Sequence, residues 1–412
     1  MTTKFINAFL LGKGIKQVLV EGDKIKKIAD IIEQDADKVV DVEGNILSSG
    51  FANCHCHNPM TLLRCVKDDV NLQTWLFDYM IPLENNLSEE DIYYGELLGI
   101  LENIRSGVTL IEENYFCTKA ILKAIKKTKI RARIGLEDKD KSSYALFDEI
   151  IDKVKDDPLL KPCVYVHSIY TYSDEEIEDK IIYSKQKNLP LSIHLSETLT
   201  EVGDCSVKTG KSPVEYLEDL GFFDRPTTCY HCVHMDKDDA QILANYDVNV
   251  VTCPASNLKL ASGIAPLNSF LSKNINICIG TDGPASNNNI DMFKEMFLCS
   301  TLQKAQLYDS EIFGAKQVYE MATKNGYRAL GFDGGEVEEG KLADLIVINT
   351  NKLHYYPANN SHESLVFCGK SSDVSLTMIG GEIVFENGKF NLDLDENEIV
   401  EKCKQIRKRL EK

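Results

Sequence analysis

The sequence has 412 residues, of which 43% are hydrophobic, and a formal net charge of -18 at pH 7. This length suggests two or three domains, and the acidic balance argues against nucleic acid as a partner because phosphate backbones would be repelled. The 13 cysteines follow no regular framework, no stretch approaches the roughly 20 apolar residues of a membrane span, and no signal peptide is apparent, so we expect a cytoplasmic protein with free thiols and no membrane partner.

Both ends of the chain are predicted to form short β-strands. The first 48 residues contain apolar runs around a turn signal at 21–23, and a second group of strands surrounds the turn at Gly380-Gly381. The strand candidates in this second group are 345–348, 375–379 and 383–385. We therefore predict a small β-sandwich domain from residues 1–48 and 344–394, followed by an exposed, charged helix at 395–412.

The middle of the chain, residues 49–343, alternates short apolar strands with helical patterns. A helix at 89–105 is bounded by Ser88, which can cap it together with Asp91, and by Gly107. The eight strand candidates are 46–57, 108–113, 131–137, 163–169, 190–197, 227–233, 248–254 and 275–283. An open doubly wound sheet also alternates in this way, but eight strands favour a (β/α)₈ barrel of the TIM type.

Six of the eight histidines lie at or near predicted strand ends, where such barrels place reactive groups. The first two are His55 and His57, and residues two apart on a strand point to the same side. Both imidazoles could therefore face the barrel interior and share one metal ion, with Cys54 and Cys56 facing the helices. The alternative is a chance pair on a packed strand. The other four of these six histidines are His167, His194, His231 and His234.

Two further strand ends carry groups that suit a metal site. His194 could supply a third nitrogen ligand, and Glu197 lies just beyond it, where its carboxylate could reach a bound water. Asp282 ends an apolar strand, and a buried charge there needs a partner such as a divalent cation. A surface role for Glu197 and a helix-cap role for Asp282 are the alternatives.

The remaining histidines and cysteines allow less specific predictions. His167 and His231 end strands four and six and could orient substrate or the attacking water, whereas His234 is expected to be structural. Cys229 and Cys232 form a lone C-x-x-C, and without a second such pair a structural zinc site is disfavoured. The H-x-E and P-C-x-x-C motifs of base-flipping deaminases, the G-x-S-x-G elbow and the P-loop are absent.

These motifs resemble those of the amidohydrolase superfamily. The chain is most similar to the branch that contains adenosylhomocysteine, methylthioadenosine and 5′-deoxyadenosine deaminases, guanine deaminase and triazine hydrolases. The SNLKL and TDGPASNNN segments are highly specific to this branch. The matching stretches, in order along most of the chain, are GFANCHCHNPMTLLR (50–64), WLFDYMIPLE (75–84), HSIYTYSDE (167–175), IHLSET (193–198), HCVH (231–234), SNLKLASGIAPL (256–267), GTDGPASNNNIDMF (280–293) and GKLADLIVI (340–348).

The resemblance implies a role for each matching residue. Glu197 and His231 would be the acid/base and water-orienting pair. Glu84 would bind ribose hydroxyls, and Trp75 and His167 would contact the substrate. Strand four has no lysine that could bridge two metals, which favours a single divalent ion, with zinc preferred and Fe²⁺ as the alternative. The metal ligands implied by the resemblance are His55, His57, His194 and Asp282.

Two departures from the family pattern concern the substrate. Leu136 and Glu137 stand where homocysteine-binding members place an arginine, although Lys139 and Lys141 are nearby. Thr252 stands where relatives usually carry a histidine.

The resemblance implies a metal-dependent hydrolytic deaminase of an aminated heterocycle, with an adenine nucleoside preferred. The alternatives are guanine or pterin deamination, a triazine-type hydrolase, and a non-enzymatic binding protein. A small molecule is the expected partner, and a homo-oligomer is left open.

Overall fold

The N-terminal segment folds into five strands in the computed structural model, which describes residues 1–137 and 143–411. Strands β1 to β3 pair in antiparallel order, whereas β4 and β5 each pair in parallel with β1. The strands are β1 (Thr2–Leu10), β2 (Gly14–Glu21), β3 (Lys24–Ala29), β4 (Lys38–Asp41) and β5 (Ile46–Ser49).

The next eight strands form a parallel barrel in which each strand pairs with its neighbour in sequence. After the last strand, the Thr281 N–H donates to Asn53 Oδ1 and the Asp282 N–H donates to the His55 carbonyl, at 2.9 Å each, which brings the chain back to the first strand. The strands are β6 (Phe51–Cys56), β7 (Val108–Glu113), β8 (Arg131–Leu136), β9 (Leu160–Val166), β10 (Leu191–Leu195), β11 (Thr227–His231), β12 (Val248–Thr252) and β13 (Asn276–Ile279). The predicted eight-stranded barrel is confirmed.

The first predicted barrel strand, 46–57, was wrong as a single element. Its first part is β5, which pairs with β1 and with a C-terminal strand, and only its second part enters the barrel as β6. Gly50 separates the two parts, and a Cβ at Gly50 would collide with the side chain of Thr109. Hydrophobicity alone could not reveal this change of sheet, because both halves are fully buried.

The C-terminal strands complete the N-terminal sheet, as predicted. The result is one mixed sheet of nine strands in the order β17-β16-β15-β14-β5-β1-β2-β3, with β4 beside β1. The added strands are β14 (Leu345–Ile348), β15 (Val374–Ile379), β16 (Glu382–Glu386) and β17 (Lys389–Phe390). The small domain from both termini therefore forms, while its limits at 1–48 and 344–394 stay a prediction.

Helices alternate with the barrel strands along the chain. A 3₁₀ helix at Asn58–Leu63 and a π-helix at Thr74–Met80 follow β6. The α-helices are α1 (Ile81–Glu84), α2 (Glu89–Arg105), α3 (Thr118–Thr128), α4 (Tyr144–Val154), α5 (Asp174–Lys187), α6 (Leu199–Thr209), α7 (Pro213–Asp219), α8 (Lys237–Leu243), α9 (Pro254–Lys259), α10 (Leu267–Leu271), α11 (Met292–Leu307), α12 (Ala315–Ala322), α13 (Lys324–Ala329), α14 (His362–Cys368) and α15 (Glu396–Leu410). Within the described residues, none of these helices is long and apolar enough to span a membrane.

Two helices test the sequence predictions directly. Helix α2 has the predicted bounds and begins with a capping box between Ser88 and Asp91. Helix α15 was expected to be exposed, but one face of it is buried and packs against α2. The buried residues of α15 are Ile399, Cys403 and Ile406. They recur every three to four residues, so the sequence of this helix is amphipathic despite its many charged residues.

A buried ion pair joins the barrel to the terminal sheet. The Asp344 carboxylate accepts two hydrogen bonds from Arg131 at 2.6 and 3.0 Å, and both side chains are fully buried. The same carboxylate accepts from the Tyr327 hydroxyl at 2.8 Å and from the Gly380 N–H at 2.7 Å. With four donors around it, the carboxylate is fully satisfied without water.

Candidate active site

Four potential metal ligands meet at the carboxyl end of the barrel. The Nε2 atoms of His55 and His194 are 3.1 Å apart, and Asp282 Oδ1 lies 3.3 Å from His55 Nε2 and 3.4 Å from His57 Nε2. One ligand atom from each of the four residues lies within 4.8 Å of the others, and all four side chains are buried. His55 lies in β6 and His57 directly after it, His194 lies in β10, and Asp282 lies in the turn after β13. The parallel barrel therefore brings together the positions that the sequence predicted.

Backbone carbonyls orient two of the imidazoles. His57 Nδ1 bonds to the carbonyl of Asn114, and His194 Nδ1 lies 2.7 Å from the carbonyl of His167. A carbonyl only accepts, so each Nδ1 must carry the proton, which leaves the Nε2 lone pairs of both rings directed at the cluster. This is the tautomer that a metal ligand needs.

Two serines hold the carboxylate of the cluster. Asp282 Oδ2 accepts from Ser256 Oγ at 2.5 Å and from Ser286 Oγ at 2.7 Å, which leaves Oδ1 facing the imidazoles. Burial alone would raise the pKa of Asp282, but His55, His231 and His57 hold this pKa well below its usual range. Asp282 is therefore a carboxylate.

The donor set fits a divalent cation. Burial lowers the pKa of His55 to about 3 and the pKa of His194 well below its usual value, so both rings are neutral. In this arrangement the lone pair of His57 Nε2 lies 3.4 Å from the negatively charged Oδ1 of Asp282. Lone pairs and negative charge that converge in this way repel one another, and a cation at their centre removes this repulsion.

A second pair of titratable groups lies beside the ligands. His231 Nδ1 donates to Asn257 Oδ1 at 2.7 Å, and its Nε2 lies 3.7 Å from Glu197 Oε2. Although burial lowers the pKa of His231, the carboxylates of Glu197 and Asp282 raise it overall. Burial raises the pKa of Glu197, whose Oε1 accepts from Ser262 Oγ at 3.1 Å. Opposite each other, the two groups form a candidate pair for proton transfer.

Glu201 was missed by the sequence predictions. Its carboxylate accepts the backbone N–H groups of Ser196 and Glu197, both at 2.8 Å, and thereby fixes the turn that presents Glu197. Burial raises the pKa of Glu201 to about 7. A signal was available, because Thr198 caps α6 and Glu201 follows three residues later, which is the spacing of a helix start.

A pocket of about 200 Å³ opens above the cluster. Glu84 Oε1 accepts from the Tyr115 hydroxyl at 2.6 Å, and burial raises the pKa of Glu84 to about 7. All six predicted catalytic and substrate-contacting residues line this one pocket, and their individual roles stay predictions. They are Trp75, Glu84, His167, Glu197, His231 and Asp282.

The two departures from the family pattern differ in their positions. Leu136 is buried at the end of β8, and Glu137 after it lines the pocket. Thr252 is buried at the end of β12, outside the set of described residues that line the pocket. Lys139 and Lys141 lie outside the described residues.

Two other predictions concern His234 and the C-x-x-C pair. His234 Nε2 bonds to the Ser262 carbonyl at 2.7 Å, which agrees with a structural role. Among the described residues, the clusters that could hold a metal include neither Cys229 nor Cys232. Cys253, which the sequence did not indicate as a ligand, lies close enough to His55 and His231 for the three side chains to hold a metal ion.

Comparison with known proteins identifies the family. The model of the Amidohydrolase family matches residues 46–384, which include the barrel and most of the terminal strands after it. The chain belongs to the amidohydrolase family. The predicted amidohydrolase fold and enzyme class are thereby confirmed, and amidohydrolases depend on metal, as the four-ligand cluster would require.

Three relatives illustrate the similarity. The chain is 39% identical to a 5-methylthioadenosine/S-adenosylhomocysteine deaminase of Acetivibrio thermocellus, covering 91% of this chain and 89% of that protein. It is 37% identical to a 5′-deoxyadenosine deaminase of Methanocaldococcus jannaschii, covering 97% of each. The crystal structure of an adenosine deaminase from Xanthomonas campestris with bound zinc superimposes with a TM-score of 0.95 at 30% identity, covering 99% of this chain and 98% of that one.

Proposed function

We propose that this amidohydrolase is a metal-dependent deaminase that releases ammonia from an adenine nucleoside by hydrolysis. The observation that carries the proposal is the juxtaposition, in one pocket, of a four-ligand cluster and the Glu197–His231 pair. A hydrolytic deaminase needs a bound nucleophilic water and a group that delivers a proton to the ring and to the leaving amine, and this pocket has residues for both tasks. The deaminases among its relatives support the same reaction.

The metal would be held by His55, His57, His194 and Asp282. When bound there, a divalent cation lowers the pKa of a coordinated water toward neutrality. We propose zinc because the Xanthomonas campestris deaminase has bound zinc, and Fe²⁺ is the alternative because imidazole and carboxylate ligands suit both ions.

The acid/base steps are assigned to three side chains. Asp282 and His231 hold the attacking water and accept its proton as the oxygen bonds to the ring carbon that carries the amine. Glu197 delivers a proton to the adjacent ring nitrogen, and this addition gives a tetrahedral carbon. The proton taken from the water then passes to Glu197, whose Oε2 lies 3.7 Å from His231 Nε2, and Glu197 transfers it to the amine. As the carbon–nitrogen bond breaks and ammonia leaves, the added hydroxyl group returns its proton to Glu197 and becomes the carbonyl of the product. The raised pKa of Glu197 suits a group that must both give and take protons.

Glu84 favours a nucleoside over a free base. Its carboxyl group is held by Tyr115 at the side of the pocket, where it can accept hydrogen bonds from vicinal hydroxyl groups. Guanine, pterins and triazines have no ribose, so they would leave this buried carboxyl group without a partner in the substrate. We therefore place guanine or pterin deamination and triazine hydrolysis second.

The test combines metal analysis with a substrate panel. We expect one divalent ion per chain after metal-supplemented expression, and ammonia release from adenosine, 5′-deoxyadenosine and methylthioadenosine above that from guanine and pterin. A Glu84→Gln variant should raise the KM of nucleosides by about tenfold, since it weakens hydrogen bonds to a charged group, while the metal content stays unchanged. Two ions per chain would contradict the proposed metal site, and turnover of guanine without turnover of nucleosides would contradict the substrate class.

A further inference from the structure

A second, larger cavity lies at the opposite end of the barrel from the candidate active site. It has a volume of about 830 Å³ and opens between the amino-terminal ends of β9 to β13 and the turn that follows α13. Since all barrel strands run parallel, this end is separated from the metal ligands by the full length of the barrel. The cavity is therefore distinct from the substrate pocket, and the proposed deamination makes no use of it.

Four cationic side chains line this cavity and bond only to neutral oxygens within the described part of the chain. Arg225 donates to Asn188 Oδ1 at 2.6 Å and Lys273 donates to Gln241 Oε1 at 2.7 Å. Lys161 and Arg328 likewise bond to neutral oxygens, those of Gly331 and of the Asn276 side chain. These bonds fix the positions of the cations but do not neutralise their charge.

The charge of the wall is almost entirely positive. Asp247 is the one carboxylate among the described residues that line the cavity. Arg133 also lines it, but its charge is matched by the buried carboxylate of Glu112. Burial, followed by the charges of Arg131 and Arg133, lowers the pKa of Lys161. The cations of this wall outnumber its carboxylate although the chain has a net charge of -18.

The rest of the wall is partly apolar and concave. Pro162, Pro190 and Pro226 stand at or next to the starts of three neighbouring strands and contribute no N–H group. Tyr246 and Leu189 add further apolar surface. A low-dielectric concave wall strengthens the field of the cations that line it and so attracts a small anion.

We propose that this cavity binds a small phosphorylated molecule through its phosphate group. Arginine guanidinium groups match phosphate oxygens in a bidentate manner, and Arg225 and Arg328 both retain N–H groups beyond those used in the bonds above. A nucleic acid is disfavoured because the strongly acidic remainder of the protein would repel an extended polyanion. Inorganic phosphate and a sugar phosphate present the same chemistry to the cavity.

The test is calorimetric titration of the metal-loaded full-length protein with inorganic phosphate and with ribose 5-phosphate, at constant ionic strength, with ribose as the uncharged control. We expect saturable binding that weakens about tenfold or more in the Arg225→Ala/Arg328→Ala double variant, because hydrogen bonds to a charged group are lost. Asp247→Asn should tighten binding. Tighter binding of ribose 5-phosphate would assign the site to a sugar phosphate, and equal binding would assign it to free phosphate.

The control is Lys408→Ala, which removes an exposed positive charge from α15 and should leave binding unchanged. If the arginine variant fails to fold, as judged by circular dichroism, Lys161→Ala/Lys273→Ala removes the same charge from the cavity and should weaken binding similarly. Absence of saturable binding to the wild-type protein would overturn the proposal. Equal binding by the wild-type protein and a folded cavity variant would also overturn it, because the phosphate would then bind elsewhere, for example in the substrate pocket.

Discussion

Buried charged side chains at the two ends of the barrel differ in whether a side chain of opposite charge accompanies them. At the amino end, Arg131 and Arg133 are each matched by one carboxylate through two hydrogen bonds, those of Asp344 and Glu112. At the carboxyl end, the described residues that line the pocket include four with carboxyl groups, and none of them is a lysine or arginine. The basic side chains among the described lining residues are imidazoles, and burial lowers the pKa of His57 and of His194.

This difference distinguishes charged groups that stabilise the fold from charged groups that can take part in binding and catalysis. A bidentate ion pair with satisfied donors is fixed, and it resists any change in protonation. A carboxylate held among neutral imidazoles gains from binding a cation or a proton, so its charge state responds to ligands. An excess of carboxyl groups over lysine and arginine therefore marks the end of the barrel at which a metal ion is expected.

The largest effect is expected from Glu197→Gln at the carboxyl end. The amide fills the same space but cannot transfer a proton, so kcat should fall by about 10²–10⁴-fold, the usual contribution of a general acid/base group. Metal content, measured by elemental analysis, should stay at the wild-type level because Glu197 is not among the four ligands. Near-normal turnover in this variant would remove Glu197 from the mechanism.

A smaller but still severe effect is expected from Arg131→Met at the amino end. The variant leaves Asp344 buried without its cation, which should lower the free energy of unfolding by about 3–5 kcal/mol. The matched control is the Arg131→Met/Asp344→Asn double variant, which should recover much of this loss because no charge is left unpaired. Urea denaturation compares the three proteins. Equal stability of the single variant and the wild type would show that this ion pair does not stabilise the fold.

The smallest effect concerns the charge of the substrate. Leu136 offers no cation to a homocysteine carboxylate, and Glu137 adds negative charge to the pocket. We expect kcat/KM for methylthioadenosine to exceed that for adenosylhomocysteine by about tenfold, the value of one hydrogen bond to a charged group. A clear preference for adenosylhomocysteine would refute this and would direct attention to Lys139 and Lys141, where Lys139→Ala and Lys141→Ala variants identify the substitute.

The sequence predicted the residues that belong to regular strands better than those that depend on distant contacts. His55 lies near the end of β6 and His57 directly after it, and the positions of His194 and Asp282 follow from strand ends in a parallel barrel. Local patterns of this kind can be recognised in a single sequence. The strand at 46–57 was predicted too long because a glycine between two buried apolar runs carries no sign of which sheet each run joins.

The surroundings of the site were much harder to predict. Asn257 and Ser262 lay within a recognised motif, but their contacts with His231 and Glu197 depend on how the loop after β12 folds over the barrel. Ser286, which holds Asp282, depends likewise on the loop after β13. The basic cavity was not predicted either, because its four cations are distant in sequence and the overall charge has the opposite sign.

The terminal sheet has a consequence for the order in which the chain folds. Strand β14 pairs with β5 in antiparallel register, so that Ile346 lies opposite Ser48, and the whole barrel is synthesised between them. A nascent chain therefore carries β1 to β5 with the edge of β5 unpaired until the C-terminal strands emerge. Because such long-range pairing is slow and an unpaired edge invites association with other chains, synthesis of this protein includes a period of exposure to aggregation, which ends only when β14 arrives.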